Sequence, residues 1–360
     1  MSTAKQEFEK IRDTVEAADK ALADALAARA KAVTELVALR ARATDAYFTL
    51  PRDADVLTRI TERVEGLPKE ATRTVMKEVL SACASLIAPV QVVYAGKEGG
   101  LGHLAARNHF GASAVLTAVD SPETLLSDIE RGRAAFGVLP FETSYDGAVT
   151  KTINLLARSD IKICAEVPIR RSFHLLSKSG QRGDIKKIYA ASSALTACEN
   201  YLAREFPHAP VIDTRSHMQA AQQAAAEPDA AALGTELAVV LPDLNVVERS
   251  VEDTADLDTR YVALGNDYPP RTGRDRTAVA VALHDAPGVL IDCLKPFADR
   301  RINLYRLETR PARGWEFRYL VLFEVDGHVT DRAVLSSVEE LRTAGRYVKV
   351  LGSYPRVKEL

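Results

Sequence analysis

The stretch that constrains this chain most is an N-terminal run without glycine or proline. From about Lys5 to Ala43 neither helix-breaking residue occurs, and alanine, the strongest helix former, is abundant. Its apolar residues recur at close to the coiled-coil spacing: Phe8, Ile11, Val15, Ala18, Leu22, Leu26, Val33 and Leu36. At about 1.5 Å rise per residue one helix of this length measures roughly 60 Å, too long for a compact domain to cover by itself.

Two shorter helices are predicted after it. Pro51 opens one that runs to about Val64, and Pro68 opens another that reaches Ile87. Three helices, one of them overlong, make a poor core for a monomer. The sequence therefore predicts an all-α domain over residues 1–89 that interlocks with a second copy of the chain.

Arginines lie beside the apolar seam of these helices. Arg12 and Arg29 flank it, where a charge is costly unless an anion meets it. This stretch resembles the all-helical chorismate mutase domain that is fused to the front of many prephenate dehydratases. The resemblance implies that four cationic positions and one acidic position bind chorismate: Arg12, Arg29, Arg40, Arg52 and Asp53.

The implied mutase chemistry needs fixed cations more than reactive groups. Chorismate becomes prephenate by rearrangement of a dianion, in which negative charge grows on the breaking ether oxygen. In the family a Gln or Glu near the end of the third helix donates to that oxygen, and Ile87 stands there in this chain. Losing one such donor typically costs ~10²–10³ in rate.

A different pattern begins after the short hinge at Ala88–Val90. A buried strand, Val92–Gly96, leads into the glycine-rich loop 96–103 and a helix, an arrangement that can cradle an anion. Strands and helices then alternate, which indicates α/β units over residues 90–268. The predicted strands are Ala114–Leu116, Gly137–Pro140, Ile161–Val167, Ile188–Ala190, Val211–Ile212 and Ala230–Leu233.

Three segments of this region carry a second resemblance. Leu139–Ser144 matches the V-P-I-E-N-S segment of prephenate dehydratases, Ala232–Thr235 matches A-I-G-S, and Thr259–Tyr261 matches T-R-F. The resemblance implies two α/β lobes with the active site in the cleft between them, and no cofactor or metal. The catalytic residues that it implies are Thr259, Arg260, Glu142, Thr143 and Ser144.

Prephenate loses carbon dioxide and a ring hydroxyl, and its ring becomes aromatic. Aromatisation supplies most of the driving force, so a proton donor and an anion-holding cleft suffice. Thr259 is implied as the donor to the leaving hydroxyl. Glu142 and Arg260 are expected to orient and balance the carboxylates.

Other pocket positions depart from the family pattern. The T-F/Y-S-H loop is Gly100–His103, S-H-P-Q is Ala190–Ser193, a threonine is His217, and the residues before Thr259 are Asp256–Asp258. Two alternatives therefore stay open beside the bifunctional enzyme. One is a prephenate decarboxylase-type enzyme, although such enzymes tend to lack the threonine. The other is a catalytically impaired phenylalanine-sensing regulatory protein.

The C-terminal region follows a linker from Asn266 to Asp275. From Thr277 the pattern is β-α-β-β-α-β, an α+β ferredoxin-like domain over residues 276–360. It resembles the regulatory ACT domain of these enzymes, which implies L-phenylalanine as effector, bound between two subunits of a homodimer or homotetramer. The implied effector-binding residues are Pro287, Gly288, Val289, Leu290, Asn303, Leu304, Glu308, Thr309, Arg310 and Pro311.

Composition excludes several classes of partner. A net charge of −2 over 360 residues favours neither nucleic acid nor an acidic membrane surface. The four cysteines lie far apart without metal-ligand spacing, which predicts reduced thiols in a cytosolic protein. The charged segment Met1–Lys10 has no signal-peptide core, and no apolar run approaches the ~18–20 residues of a membrane span.

Overall fold

The computed structural model describes residues 3–40, 53–86, 89–144, 147–240, 244–254, 258–283, 286–311, 319–343 and 347–357. The chain divides into two compact units, one of Met1–Val90 with Phe110–Val115 and one of Gln91–His109 with Leu116–Leu360. Across these residues, none of the helices combines the length and the apolar character that crossing a bilayer requires.

The first unit contains the three predicted helices. They are α1 (Thr3–Arg40), α2 (Asp53–Arg63) and α3 (Lys69–Ser85). Helices α2 and α3 pack together, and Leu57 and Leu80 are buried. Along α1 the predicted seam lies open as far as Leu26, with Phe8 68% and Leu22 60% exposed, and Val33 and Leu36 are half-buried. One long helix is confirmed, and most of its apolar stripe is left uncovered within a single chain.

The α/β part of the chain contains two lobes, each built on a sheet. The first lobe consists of β1 (Gln91–Ala95), α4 (Leu101–Phe110), β2 (Val115–Val119), α5 (Pro122–Glu130), β3 (Phe136–Thr143), β4 (Gly147–Ala148), α6 (Thr150–Arg158), β5 (Lys162–Arg170) and the returning β11 (Asp258–Gly265). The second lobe consists of β6 (His174–Ser177), β7 (Lys187–Ala191), α7 (Ser192–Ala197), α8 (Glu199–Glu205), β8 (Val211–Thr214), α9 (His217–Ala226), β9 (Ala230–Gly234), α10 (Glu236–Val240) and β10 (Asn245–Glu248). The chain leaves the first lobe after β5 and returns in β11, which pairs with β5 along its whole length.

The C-terminal module, residues 275–355, has the predicted β-α-β-β-α-β order. It consists of β12 (Asp275–Leu283), α11 (Val289–Asp299), β13 (Leu304–Pro311), β14 (Tyr319–Asp326), α12 (Arg332–Thr343) and β15 (Tyr347–Pro355). One face of its sheet, with Val281 and Phe323, forms a core with α11 and α12. The other face, with Ala280 and Leu322, shares a core with the first lobe.

The module and the first lobe form one continuous sheet. Its strand order is β13-β14-β12-β15-β5-β11-β3-β1-β2 with β4 beside β3, and the second lobe has β10-β6-β9-β7-β8. The two halves join where Gly352 of β15 pairs with Ile163 of β5. A Cβ atom on Gly352 would lie 2.4 Å from both the Cβ and the carbonyl oxygen of Ile163. Glycine is therefore needed at this junction.

Replacing Gly352 with alanine is expected to lower the free energy of unfolding by about 1–3 kcal/mol, because the added methyl overpacks backbone that cannot move aside. Urea denaturation measures the change. Gly183→Ala is the matched control, since a Cβ there meets nothing within 4 Å. Equal stability of the Gly352 variant and wild type would show that β15 docks differently.

Candidate functional site

The residues predicted to be catalytic lie at the paired ends of β3 and β11. Thr259 is opposite Thr143, and Arg260 is opposite Glu142. Neighbouring residues of a strand point to opposite faces of the sheet. The two threonines therefore share one face and the Glu142–Arg260 pair shares the other. The structure divides the predicted catalytic set between two faces.

Strand pairing holds Thr259 from both sides. Its other neighbour is Ile169 of β5, and the amide of Ser144 donates to the carbonyl of Asp258 at 2.9 Å, just beyond the paired ends. Thr259 is only 7% exposed. Its backbone position is consequently set before any ligand arrives, as electrostatic and proton-donor catalysis requires.

On the other face, the Arg260 guanidinium donates to three protein carboxylates. Nε donates to Glu142 Oε2 at 2.9 Å, Nη1 to Glu166 Oε1 at 2.8 Å, and Nη1 and Nη2 to the two oxygens of Glu324 at 2.8 Å each. We expected this guanidinium to balance substrate carboxylates, yet all of its nitrogens face protein carboxylates. A contact between Arg260 and substrate stays a prediction.

The electrostatics of this cluster favour the ionised forms. Burial would by itself raise the pKa of Glu324, but the Arg260 charge and hydrogen bonds from Arg260 and Tyr354 lower it below its ordinary value. Burial would likewise lower the pKa of Arg260, and Glu324 is the first of the groups that raise it instead. The pair is a buried, bidentate salt bridge.

Sequence reasoning missed several members of this cluster. Arg276 donates through Nη1 to Glu166 at 2.8 Å, Arg306 pairs with Glu142, and Tyr354 Oη donates to Glu324 Oε1 at 2.7 Å. A signal was present, because Glu324 is a charged residue between the apolar Phe323 and Val325 in the strand Tyr319–Asp326. A charge in such a run needs a buried partner, but the pattern does not say which residue supplies it.

Three amides of the glycine-rich loop that was expected to cradle an anion donate to the protein itself. The amides of Gly96, Gly99 and Gly100 donate to Val119 O, His103 Nδ1 and Lys97 O respectively. The Gly99 carbonyl accepts a hydrogen bond of 2.7 Å from Thr235 of the second lobe. These three amides are thus occupied within the protein, and the loop connects the two lobes.

A cavity of about 410 Å³ lies in the second lobe at the carboxyl ends of the parallel strands β7 and β8. Ligands of open α/β sheets bind outside such ends. Ser216 caps α9 by accepting from Gln219 N, which places His217 at the first helical position. The His217 Nε2 lies 3.1 Å from Ser193 Oγ. The cavity is lined by Ala191, Ser192, Ser193, Asp213, Thr214 and Arg215.

Three histidines of the α/β domain are buried. His103 accepts from Gly99 N and stacks on Tyr94 with ring centroids 5.0 Å apart, while His174 Nδ1 accepts from Ser250 N at 3.1 Å. These contacts are structural for both imidazoles. Burial is the main cause that lowers the pKa of His103, His174 and His217. A backbone hydrogen bond with Leu233 partly offsets this effect on the pKa of His217.

These lowered pKa values predict a stability that declines in mild acid. The unfolded chain takes up protons near the ordinary histidine pKa of 6.5, whereas the folded imidazoles stay neutral to lower pH. Their contribution is complete above that value and is lost as the pH falls through the folded pKa. Denaturant unfolding between about pH 8 and pH 5 measures the slope. His217→Asn should reduce the slope of the unfolding free energy against pH, and substitution of the exposed His208 by Asn should leave that slope unchanged. Equal slopes for wild type and His217→Asn would contradict the assignment.

The predicted mutase residues are only partly within the described residues. Arg12 is 62% exposed and lies 3.5 Å from Glu16. Arg29 is half-buried, and its Nη1 is buried without a hydrogen-bond partner among the described residues. The side chains of Arg40 and Asp53, and the whole of Arg52 and Ile87, lie outside the described residues.

The predicted effector residues occupy two places in the module. Pro287, Gly288, Val289 and Leu290 form the exposed or half-buried start of α11, where Gly288 has a φ of 78°. Asn303 lies directly before β13, and Leu304 is its first residue. Asn303 Nδ2 donates to Asp326 at 3.1 Å.

The remaining effector residues lie on β13, where Glu308 and Arg310 face the first lobe. Arg310 Nη2 donates to Ala148 O at 3.1 Å, and Glu308 accepts from Arg306 at 2.8 Å. Thr309 is exposed, and the side chain of Pro311 lies outside the described part.

Two family models match this chain in the order that the fold shows. The model of chorismate mutase type II matches residues 11–87, and the model of prephenate dehydratase matches residues 92–269. The helical unit and the two-lobed domain therefore define the class: a mutase-type domain fused to a dehydratase domain.

The relatives make the assignment specific. The bifunctional chorismate mutase/prephenate dehydratase of Pseudomonas aeruginosa is 32% identical and aligns over 86% of each chain. The corresponding protein of Aquifex aeolicus is 32% identical over 83% of each chain. Among solved structures, prephenate dehydratase from Arthrobacter aurescens in complex with L-Phe has a TM-score of 0.62 and 30% identity, covering 74% of this chain and 89% of that one. The chain belongs to the family of bifunctional chorismate mutase/prephenate dehydratases.

Proposed function

We propose that this chain catalyses two steps of phenylalanine biosynthesis, the rearrangement of chorismate and the decarboxylating dehydration of prephenate to phenylpyruvate. The observation that carries the second step is the pairing of Thr259 with Thr143 at the ends of β11 and β3. It sets two hydroxyl-bearing residues on one face of a rigid sheet. Ser144 follows directly in the chain, just beyond the end of β3.

The dehydration reaction needs a proton donor and groups that hold the substrate in place. The Thr259 hydroxyl donates a proton to the leaving ring hydroxyl, carbon dioxide departs, and the ring becomes aromatic. Thr143 and Ser144 orient the substrate. Glu142 and Arg260, on the opposite face, act by holding the strands in place. No cofactor enters this scheme.

The mutase step is assigned to the helical unit, residues 1–89, with Arg12, Arg29, Arg40, Arg52 and Asp53 as binding residues. The support is that Nη1 of Arg29 is buried and has no hydrogen-bond partner in the described part of the chain, as expected of a cation that binds an anionic ligand. The open seam of α1 is a surface that a second copy of the chain would cover, in a homodimer or homotetramer.

Replacing Arg29 with methionine should lower the rate of chorismate consumption by about 10²–10³-fold, because one fixed cation toward the dianion is lost. Phenylpyruvate formation from added prephenate should not change. Lys31→Met on the same helix is the control, since Lys31 is exposed beside Glu35. Chorismate consumption equal to wild type would remove Arg29 from the mutase site.

The C-terminal module, residues 276–360, is proposed to be an ACT domain that binds L-phenylalanine as effector. Its β-α-β-β-α-β order and the L-Phe complex of the Arthrobacter aurescens relative support this. The start of α11, from Pro287 to Leu290, is its best candidate contact surface because it is exposed or half-buried.

Purified protein given chorismate and prephenate separately tests the whole proposal, with products followed by proton NMR and L-phenylalanine binding by calorimetry. Phenylpyruvate from prephenate is the expected product. A non-aromatic decarboxylated acid would instead indicate a prephenate decarboxylase. Phenylalanine binding without turnover would indicate a regulatory protein.

A further inference from the structure

We infer that Glu324, a residue of the C-terminal module, is a positioning residue for the dehydration reaction. Its carboxylate holds Arg260, and through Arg260 it sets the position of Thr259 on the same strand. The inference rests on the proposed dehydratase function. It assigns to the module a part in catalysis.

The Glu324 side chain is fully buried. Its relative exposure is 0%, and both of its oxygens accept from the Arg260 guanidinium at 2.8 Å. Tyr354 Oη, also at 0% exposure, donates to Oε1 at 2.7 Å. These donors hold the Glu324 carboxylate in one orientation, and the bidentate pairing holds the Arg260 guanidinium in one orientation as well.

The charges of six groups around Arg260 balance only when the module and the first lobe are together, and Glu308, a further partner of Arg306, is offset by Arg310. The first lobe supplies two carboxylates and one guanidinium, a net charge of −1, and the module supplies two guanidinium groups and one carboxylate, a net charge of +1. Removing one member leaves a buried charge uncompensated, which is strongly unfavourable. The six groups are Glu142, Glu166 and Arg260 from the lobe, and Arg276, Arg306 and Glu324 from the module.

The strand geometry connects this cluster to the hydroxyl. Thr259 and Arg260 are consecutive, so a guanidinium held on one face fixes the strand whose other face carries the threonine. The β11–β3 register shifts between Arg260 and Tyr261. Such irregularities weaken the hydrogen-bond ladder locally, and the side-chain anchor therefore matters most at this point.

The module contacts the opposite strand of the site as well. Arg306 pairs with Glu142, which precedes Thr143, and Arg310 donates to the Ala148 carbonyl in β4. Both strand ends that carry the two threonines are thus held by module side chains. A displacement of about 1 Å at reacting groups can cost ~10²-fold in rate.

Steady-state kinetics with prephenate tests the inference in the full-length chain. Glu324→Gln should lower kcat for phenylpyruvate formation by about 10–10²-fold and leave KM within about twofold, since binding groups stay in place. Glu339→Gln on α12 is the matched control: it lies in the same module, is about half exposed and pairs with Arg342. It should behave as wild type.

A second variant covers the case in which Glu324→Gln does not fold. Tyr354→Phe keeps every charge of the cluster and removes one hydrogen bond to Glu324. A severalfold fall in kcat at unchanged KM is expected. A kcat equal to wild type in either folded variant overturns the inference while leaving the dehydratase proposal intact, whereas no phenylpyruvate from wild type overturns both.

Hydrogen exchange separates positioning from general destabilisation. In Glu324→Gln, the amides of residues 258–262 in β11 should exchange faster, and those of the buried strand β9 in the second lobe should not change. Equal acceleration in both strands would mean that Glu324 acts only on global stability and would overturn the inference. In an Arg260→Gln background, Glu324→Gln should add no further loss of kcat, because both act through one contact.

Discussion

Replacing Thr259 with valine is expected to lower kcat for prephenate dehydration by about 10²–10⁴-fold, the usual contribution of a positioned proton donor. Valine has nearly the shape of threonine and fits the same buried place between Thr143 and Ile169, so the fold should be kept. Only the hydroxyl is lost. Chorismate consumption, which is assigned to the helical unit, should not change. Phenylpyruvate formation and chorismate loss measured on one preparation check both statements.

Two variants make this result specific. Thr259→Ser keeps a hydroxyl and should retain much of the rate. Thr254→Val changes an exposed threonine in the segment that leads into β11 and should have the wild-type rate. Full activity of Thr259→Val would mean that the proton comes from another group and would remove the central residue of the proposed site.

Replacing Arg260 with methionine is expected to lower the free energy of unfolding by about 3–5 kcal/mol, the cost of leaving a buried charge without its partner. Methionine fills much of the volume, so packing changes little. The carboxylates of Glu142, Glu166 and Glu324 would then lie close together without the cation that separates them. Chemical denaturation followed by intrinsic fluorescence and by circular dichroism measures the loss.

Arg271→Met is the matched control for this variant. Arg271 pairs with Asp331 at 2.7 Å, but its side chain is 61% exposed. Exposed ion pairs contribute about 0–1 kcal/mol, because water solvates both partners when the pair is broken. A loss for Arg260→Met no larger than for Arg271→Met would contradict the buried cluster.

Much of the fold could be predicted because it depends on local patterns. The absence of glycine and proline from Lys5 to Ala43 predicted one long helix, and α1 spans 38 residues. The strand predicted at Ile188–Ala190 is the middle of β7, and the C-terminal β-α-β-β-α-β order is as predicted. The periods of helices and strands relate residues that are only a few positions apart, so they can be recognised directly in the sequence.

The site was predicted less completely, and Arg260 shows why. Its proximity to Thr259 follows from the chain, but its partners come from β3, β5 and β14, the last of which is 64 residues further along. No spacing in the sequence relates Arg260 to Glu324. In the loop 96–103, which was expected to cradle an anion, the Gly99 amide is likewise occupied, since His103 accepts from it.

What could be determined from the amino-acid order alone is therefore the long first helix, the alternation of strands and helices in the middle of the chain, the β-α-β-β-α-β order at its end, and the threonine at the end of a strand. The packing of the sheets settled which face each side chain occupies and which buried charges neutralise one another. The physical reason is range: periodicity and backbone propensity act between near neighbours in the chain. The burial of a charge, in contrast, is tolerated only where strands distant in sequence bring a counter-charge to it.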